Sequence, residues 1–410
     1  MADIIYKSHL MDTKFVEAAH LPKGHFFFAS ESVCEGHPDK LCDQISDSIL
    51  DACLAQDPKT KAGCEAACKG SIVSALGEIT TSAQINIEQI TRNVCREVGY
   101  THTDIGLDAK TMSVLVVVED QDPSIAKAVH KDKKDEDIGA GDQGLMFGYA
   151  TDEWDKEVLH PLPHWLASRI CERLAELRKN GKMGFLRPDG KSQVTLQYKR
   201  EGKQILPVRI HNVLVSTQFD PSTSLEDVRA AIKKEVLDVV LPADLVDDKT
   251  RFVLNPSGVW ALGGPAADAG LTGRKIIVDT YGGSAPHGGG AFSGKDGSKV
   301  DRSACYYCRY VAKSLVAAGL CHRAVVSVAY AIGLAYPLSV HVSSEGSVKD
   351  GMSDDDLLAI VLNNFDFRPG KIIQELKLNR PIFAKTAKYG HFGRMDPDFL
   401  WEFPKKDLKL

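Results

Sequence analysis

Helical stretches and pairs of β-branched strands follow one another in a repeated order along this 410-residue chain, and that order restricts the folds open to it. Pro38 to Gln56 predicts a helix: Pro38 suits a first turn, Asp39 favours the positive helix end, and Leu41, Ile45, Ile49 and Cys53 share one face. Further amphipathic helices are predicted at Ile87 to Val98, Pro163 to Asn180, Leu225 to Val240, Asp301 to Ala318 and Asp354 to Phe365. Between them lie strand-like runs at Ser71 to Thr80, Met112 to Glu119, Gln193 to Tyr198, Ile210 to Phe219, Phe252 to Leu254, Ile276 to Tyr281, Ala324 to Ile332 and Ser339 to Ser344. The last two blocks share the order helix, two neighbouring strands, helix, and the first is a looser version. Strands joined by short turns pair antiparallel and are covered by helices on one face. The expected class is α+β, built from three similar layers.

Composition removes several function classes. A net charge of -5 excludes a nucleic-acid binder relying on bulk positive charge, so any cationic site must be local. No run of about 18 apolar residues occurs, and the charged N-terminus lacks an apolar signal core, so the expected location is cytoplasmic. Ten cysteines in a chain this long read as reduced thiols. Cys64 with Cys68, and Cys305 with Cys308, lie in helix-compatible stretches without histidines at zinc spacing.

Against that background the stretch Gly288 to Lys299, GGGAFSGKDGSK, stands out, because glycines admit phosphate oxygens to backbone N–H groups, lysines supply compact charge, and Asp301 just beyond can hold Mg²⁺. It is not a Walker A loop: Asp296 replaces the Ser or Thr, and the preceding strand-like run ends too early. A solvated lysine loop remains the alternative for this segment alone. GAGDQG, with Gly139, Gly141 and Gly144, follows a charged run rather than a strand, which argues against a dinucleotide fingerprint. That charged run, within Asp120 to Ile138, is expected to be a surface connector or a lid. SESVCEGHPDK places His37, Asp39 and Lys40 at a helix mouth, where free N–H donors suit phosphate. GLTGRKIIVDTYGG puts Arg274 and Lys275 at the start of a strand, with Asp268 just upstream. With Lys191, Lys295 and Lys299 these residues form the complement that a triphosphate and a divalent cation need, and no nucleophilic triad accompanies them.

Six motifs carry a family resemblance: SESVCEGHPDK, GEITTSA (Gly77 to Ala83), GAGDQGLMFGYA (Gly139 to Ala150), GLTGRKIIVDTYGG (Gly270 to Gly283), HGGGAFSGKDGSKVDRSA (His287 to Ala304) and YGHFGR (Tyr389 to Arg394). From about Phe27 to Pro404 the chain resembles the S-adenosylmethionine synthetases, also called methionine adenosyltransferases. The resemblance implies that methionine sulfur attacks C5′ of ATP and expels triphosphate, which is then cleaved to pyrophosphate and phosphate. It implies domains at 24–123, 136–256 and 258–396, and a homodimer with shared active sites or a tetramer of such dimers. Carried over by motif, His37 stabilises the ribose 5′-oxygen, Asp39 and Asp301 hold Mg²⁺, and Lys191, Arg274, Lys275 and Lys295 face the polyphosphate. Glu78 and Gln121 resemble methionine contacts, while Asp268 and Lys299 sit where methionine and nucleoside meet. Asp142 resembles a ribose-binding aspartate, Trp260 stacks on adenine with Ile332 lining the base pocket, and Asp189, Ser257 and Ala291 complete the nucleotide set. Glu65 matches a K⁺ ligand, and Glu31 is a further cation-site candidate. The chain departs from the family at Val259-Trp260, where Arg-Phe is usual, at QDPSI (Gln121 to Ile125) instead of QSPDI, and at Gly190, which replaces a side chain.

Overall fold

A computed structural model describes residues 4–5, 21–121 and 134–410. The order helix, hairpin, helix occurs three times. Helix Pro38–Leu54, strands Lys61–Lys69 and Ile72–Thr80 and helix Ile87–Val98 make the first block. Helix Leu162–Lys179, strands Leu186–Glu201 and Gln204–Phe219 and a helical stretch from Leu225 to Val240 make the second. Helix Val300–Ala317, strands Arg323–Tyr330 and Ser339–Ser343 and helix Asp354–Asn364 make the third. The first two hairpins close in two residues, opening on Gly70 and Gly202, each at φ 58, the left-handed backbone that such a turn requires. Asn86, Ser224 and Ser353 cap their helices by accepting a backbone N–H.

Each of the three larger sheets borrows a strand from ahead of another block's helix. His25–Val33 precedes the first helix but pairs antiparallel with Leu186–Glu201 in a five-stranded sheet, whose remaining members are Ile4–Ile5, Arg251–Leu254 and Gln204–Phe219. Gly144–Thr151 precedes the second helix but pairs with Arg323–Tyr330 in the third sheet. Gly270–Leu271 precedes the third helix but pairs with Lys61–Lys69 in the four-stranded first sheet, which Ser113–Glu119 completes in parallel. The connections from these strands to their helices therefore cross between units. Two of them, 34–37 and 272–299, carry His37, Arg274, Lys275, Ala291, Lys295 and Lys299 of the expected site. One apolar core joins the first and third blocks, and a second lies between the five-stranded sheet and helix Leu162–Lys179.

Two local expectations are corrected. Ile276 to Tyr281, read as a strand from its β-branched residues, is a short helix, Ile276–Asp279, leading into a turn. Tertiary capture wins over propensity there, because buried Asp279 accepts from Lys40 and Thr280 Oγ1 donates to the Ile276 carbonyl at 2.8 Å. Arg274 and Lys275 accordingly lie in a loop and do not point to opposite faces of a strand. The stretch around Cys64 and Cys68, read as helix-compatible, is strand Lys61–Lys69, with Ala62, Cys64, Ala66 and Cys68 buried in alternation. The small residues hid that period, and the first block consequently repeats the other two closely. All ten cysteines are free and buried. Among the described residues no helix is long and apolar enough to cross a membrane.

Candidate active site

Segment Cys34 to Pro38 is held rigidly before any ligand arrives. Tyr100 Oη donates to the Gly36 carbonyl, and a Cβ on Gly36 would stand 2.3 Å from Pro188, so only glycine fits. Glu35 is clamped by Arg178 at 2.7 Å and Lys388 at 2.8 Å. His37 then caps helix Pro38–Leu54, its Nδ1 accepting from the Asp39 N–H at 3.2 Å. That bond puts the ring proton on Nε2. Burial, with the charges of Lys275 and Lys191, lowers the His37 pKa to about 3, so the imidazole is a neutral donor at physiological pH.

Below the cap, the helix carries a carboxylate every fourth residue, and four-residue spacing aligns side chains along one face. Asp39 accepts from Leu271 N at 3.0 Å and Lys275 Nζ at 2.6 Å, with Arg274 at 3.8 Å. Burial would raise its pKa, but the Lys275 and Leu271 bonds win and hold it low. Asp43 accepts from Gly273 N at 2.8 Å and from buried Lys40 at 2.9 Å. Lys40 also serves Asp279, so two buried carboxylates share one ammonium; burial, opposed by Lys40, pushes Asp43 up to about 7. Asp47 accepts from Gly294 N at 2.8 Å and from both Nη atoms of Arg302 at 2.6 and 2.8 Å. Asp51 accepts from Phe383 N and Ala384 N at 2.9 and 2.8 Å. One helix face thus fixes the 270–275 loop through Asp39 and Asp43 and the glycine-rich 288–301 loop through Asp47. Eight residues of helix separate those anchors by about 12 Å.

Around the first anchor gather His37, Asp39, Lys191, Asp268, Arg274 and Lys275. Lys191 lies on the central hairpin opposite Val33 and Ser216. Gly190, one of the family departures, has a physical reason: a Cβ would stand 3.0 Å from Cys34 Sγ and 3.2 Å from the Ser216 carbonyl, against the His37 turn. Asp189 accepts from Gly264 N at 2.8 Å through Oδ2, whereas its buried Oδ1 has no partner among the described residues, and burial pushes its pKa up to about 6. Asp268 is exposed, and its charge reaches both His37 and Asp189. Trp260 is half-buried, with Nε1 donating to the Leu262 carbonyl at 2.8 Å, and Ser257 lies exposed in the preceding turn.

Around the second anchor Lys295 Nζ meets Asp301 at 2.6 Å, and Asp296 holds Lys299 at 2.8 Å while accepting from Ala62 N at 2.8 Å. Gly63 bridges to Lys295 and lies opposite Glu78, whose Oε2 is 3.7 Å from a Cβ built on Gly63. Glu65 follows on the same outer sheet face. Gly141 N donates to the Ser298 carbonyl at 3.1 Å, and Ala140 bridges to Ile332, which brings Asp142 and Ile332 to the same loop. Gln121 N donates to Thr80 Oγ1 at 3.0 Å, two residues beyond Glu78. The two loops touch where a Cβ on Gly273 would stand 2.4 Å from the Ala291 Cβ. Glu31, opposite Gln193 on the central sheet, bonds to neither group among the described residues. The lid expectation falls mainly on 122–133, outside the described residues; at its foot Glu136 pairs with Lys371 at 2.6 Å and Asp137 with Arg368 at 2.8 Å.

Asp43, Asp47, Asp279, Asp296 and Arg302 escaped the sequence reading as site-forming residues, although the repeat Asp39, Asp43, Asp47, Asp51 was a usable signal. GAGDQG precedes strand Gly144–Thr151 instead of following a strand, which rules out a dinucleotide fingerprint. No group of three or more His, Cys, Asp or Glu converges among the described residues. Cations are held in place by carboxylates beside a neutral donor imidazole, an arrangement that stabilises an anionic leaving group without a general base.

Comparison with protein families accounts for nearly the whole chain. Residues 25–123 match the family model S-adenosylmethionine synthetase, N-terminal domain, 137–260 match the central domain and 262–403 the C-terminal domain. The chain therefore belongs to the S-adenosylmethionine synthetase family and is a methionine adenosyltransferase, a transferase.

Proposed function

We propose that the first group of cations and His37 receive the triphosphate of ATP while methionine sulfur attacks C5′. The sulfur lone pair forms the S–C5′ bond, and the C5′–O pair leaves with tripolyphosphate. A thioether carries no proton to remove, so catalysis falls on alignment and on the leaving group. His37 Nε2–H donates to the departing 5′-oxygen, and Lys191, Arg274, Lys275 and Lys295 take the developing charge. A charge pair at contact is worth about 4 kcal/mol at a protein-like effective dielectric before desolvation, and each ~1.4 kcal/mol is a tenfold change in rate. Lys275 leaves Asp39, and Lys295 leaves Asp301, when phosphate arrives; the two freed carboxylates would hold Mg²⁺, which would supply charge neutralisation to the leaving group. Tripolyphosphate is then hydrolysed to pyrophosphate and phosphate.

Glu78, Gln121, Asp268 and Lys299 hold methionine, the carboxylates on its ammonium and Lys299 on its carboxylate. Asp142 takes the ribose, Trp260 and Ile332 the adenine, with Asp189, Ser257 and Ala291 at the nucleotide. Glu65 serves K⁺. In a homodimer the first group of one protomer faces the second group of its partner, so that each active site is shared; pairing of dimers gives a tetramer. An exposed apolar sheet face supports this: Ile72 is 51% exposed, Leu115 53% and Val117 60%, beside Leu271, the neighbour of the Asp39 anchor.

The observation that carries the reading is the neutral, capped His37 beside Lys275 and Lys191 at a helix mouth. Incubation with ATP, methionine, Mg²⁺ and K⁺ followed by mass identification tests it. S-adenosylmethionine, pyrophosphate and phosphate are expected, and ADP in place of S-adenosylmethionine would refute it.

A further inference from the structure

A cavity of about 550 Å³ opens beside residues 296–298 of the glycine-rich loop, and neither Lys295 nor Lys299 lines it. That is the size of a small-molecule pocket. Its wall includes Asp296, Gly297 and Ser298, and its floor is apolar, with Leu54, Ile138 and Leu378 all buried. Its rim carries Lys59, Lys61 and Lys377. Asp296 is the one carboxylate of the lining, so three lysines leave a surplus of two positive charges. Lys59 and Lys377 are exposed, with no bonded partner for their ammonium groups among the described residues, and Lys61 reaches Asp296 only at 3.8 Å. Lys377 also holds left-handed backbone, φ 51, at the end of helix Pro369–Leu376. Glycine takes that position at less cost.

From this combination of an apolar floor and a doubly cationic rim we infer that the cavity binds a small organic phosphate monoester, with its apolar body on Leu54 and Leu378 and its dianion between Lys59, Lys61 and Lys377. Binding reaches the catalytic loop through Asp296, which Lys61 and Lys299 share. A dianion that draws Lys61 away leaves Asp296 wholly to Lys299, tightens that pair, and withdraws Lys299 from substrate. The occupant is thus an inhibitor that acts on methionine binding. This last step rests on the reading of Lys299 given above; the binding step does not.

Isothermal titration of the full chain without ATP or methionine tests binding, using phenyl phosphate, orthophosphate and phenol as probes. Phenyl phosphate is expected to bind more tightly than either of the others, and Lys59→Glu and Lys377→Glu each to weaken it by about tenfold or more while leaving basal turnover unchanged. Unaltered affinity in both variants would overturn the site, and equal affinity for phenol or orthophosphate would overturn the ligand class. In the wild type phenyl phosphate should raise the methionine KM about fivefold, an effect that Lys377→Glu abolishes. A constant KM with binding intact would overturn the coupling to Lys299 alone. Because Lys59 and Lys377 lie outside the catalytic groups, affinity lost in their variants stands apart from the catalytic assignments.

Discussion

Asp47→Asn removes the charge that ties the glycine-rich loop to helix Pro38–Leu54. Asp47 and Arg302 are 0% exposed, the two guanidinium bonds are 2.6 and 2.8 Å, and the carboxylate also receives Gly294 N at 2.8 Å. Arg302 cannot relocate: it donates to Thr386 at 2.9 Å and to the Phe292 carbonyl at 3.0 Å, and lies 4.0 Å over the Phe383 ring. Leaving that buried guanidinium uncompensated costs about 4 kcal/mol. At about 2.1 cal/mol/K per residue, a chain of 410 residues unfolding as one unit has an unfolding entropy near 0.9 kcal/mol/K, so Tm should fall by about 5 °C. Release of Gly294 lets neighbouring Lys295 shift, and a displacement of about 1 Å in a catalytic group lowers turnover by about a hundredfold. Scanning calorimetry of Asp47→Asn, Arg302→Met and the double variant supplies the check. The double variant should be more stable than the sum of the singles by about 2 kcal/mol, because neither charge is then stranded. A Tm change under about 1 °C, or strict additivity, would refute the idea that the aspartate row positions the loop.

His37→Asn should abolish S-adenosylmethionine formation while sparing cleavage of added tripolyphosphate, since only the first step breaks the C5′–O bond; equal losses in separate assays would remove His37 from its role. Lys275→Met withdraws the largest charge holding His37 neutral, so the His37 pKa should rise toward its ordinary value and an acid limb should enter the pH profile of kcat/KM, whereas a profile unchanged from wild type would argue against that coupling. Burial lowers the His164 pKa to about 4, so below 6.5 the unfolded chain binds the extra proton and stability is lost as pH falls toward 4. His164→Gln should therefore lose about 2 kcal/mol less than wild type between pH 7 and 5 in denaturant titrations, and parallel curves would contradict this. Asp39→Asn should raise the Mg²⁺ concentration for half-maximal turnover by about tenfold, and an unaltered Mg²⁺ requirement would disprove its metal role.

Much of this was legible because the helices are long and periodic: Ile87–Val98 has the predicted bounds, and Pro38–Leu54 and Val300–Ala317 differ from expectation by only one or two residues at an end. The candidate site could be picked out because cations, glycines and His37 cluster in short motifs. Strand exchange among the blocks was not, since His25–Val33 and Gly144–Thr151 pair with strands more than a hundred residues away. Local propensity failed at Ile276–Asp279, where a buried ion pair decides the backbone, and at Lys61–Lys69, where alanines and cysteines conceal the alternation. The charged partners that aim the site were invisible for a related reason: Asp43, Asp47 and Asp279 touch no expected ligand and act through Gly273, Gly294 and Lys40.

Crystals grown with Mg²⁺, methionine and a β,γ-imido analogue of ATP put the central claim to its most direct test. The phosphate oxygens should lie within hydrogen-bond distance of Lys191, Arg274 and Lys275, and of Lys295 from the same or the partner protomer, with His37 Nε2 facing the ribose 5′-oxygen. A phosphate chain bound elsewhere, with Lys275 still paired to Asp39 and Lys295 still paired to Asp301, would contradict it.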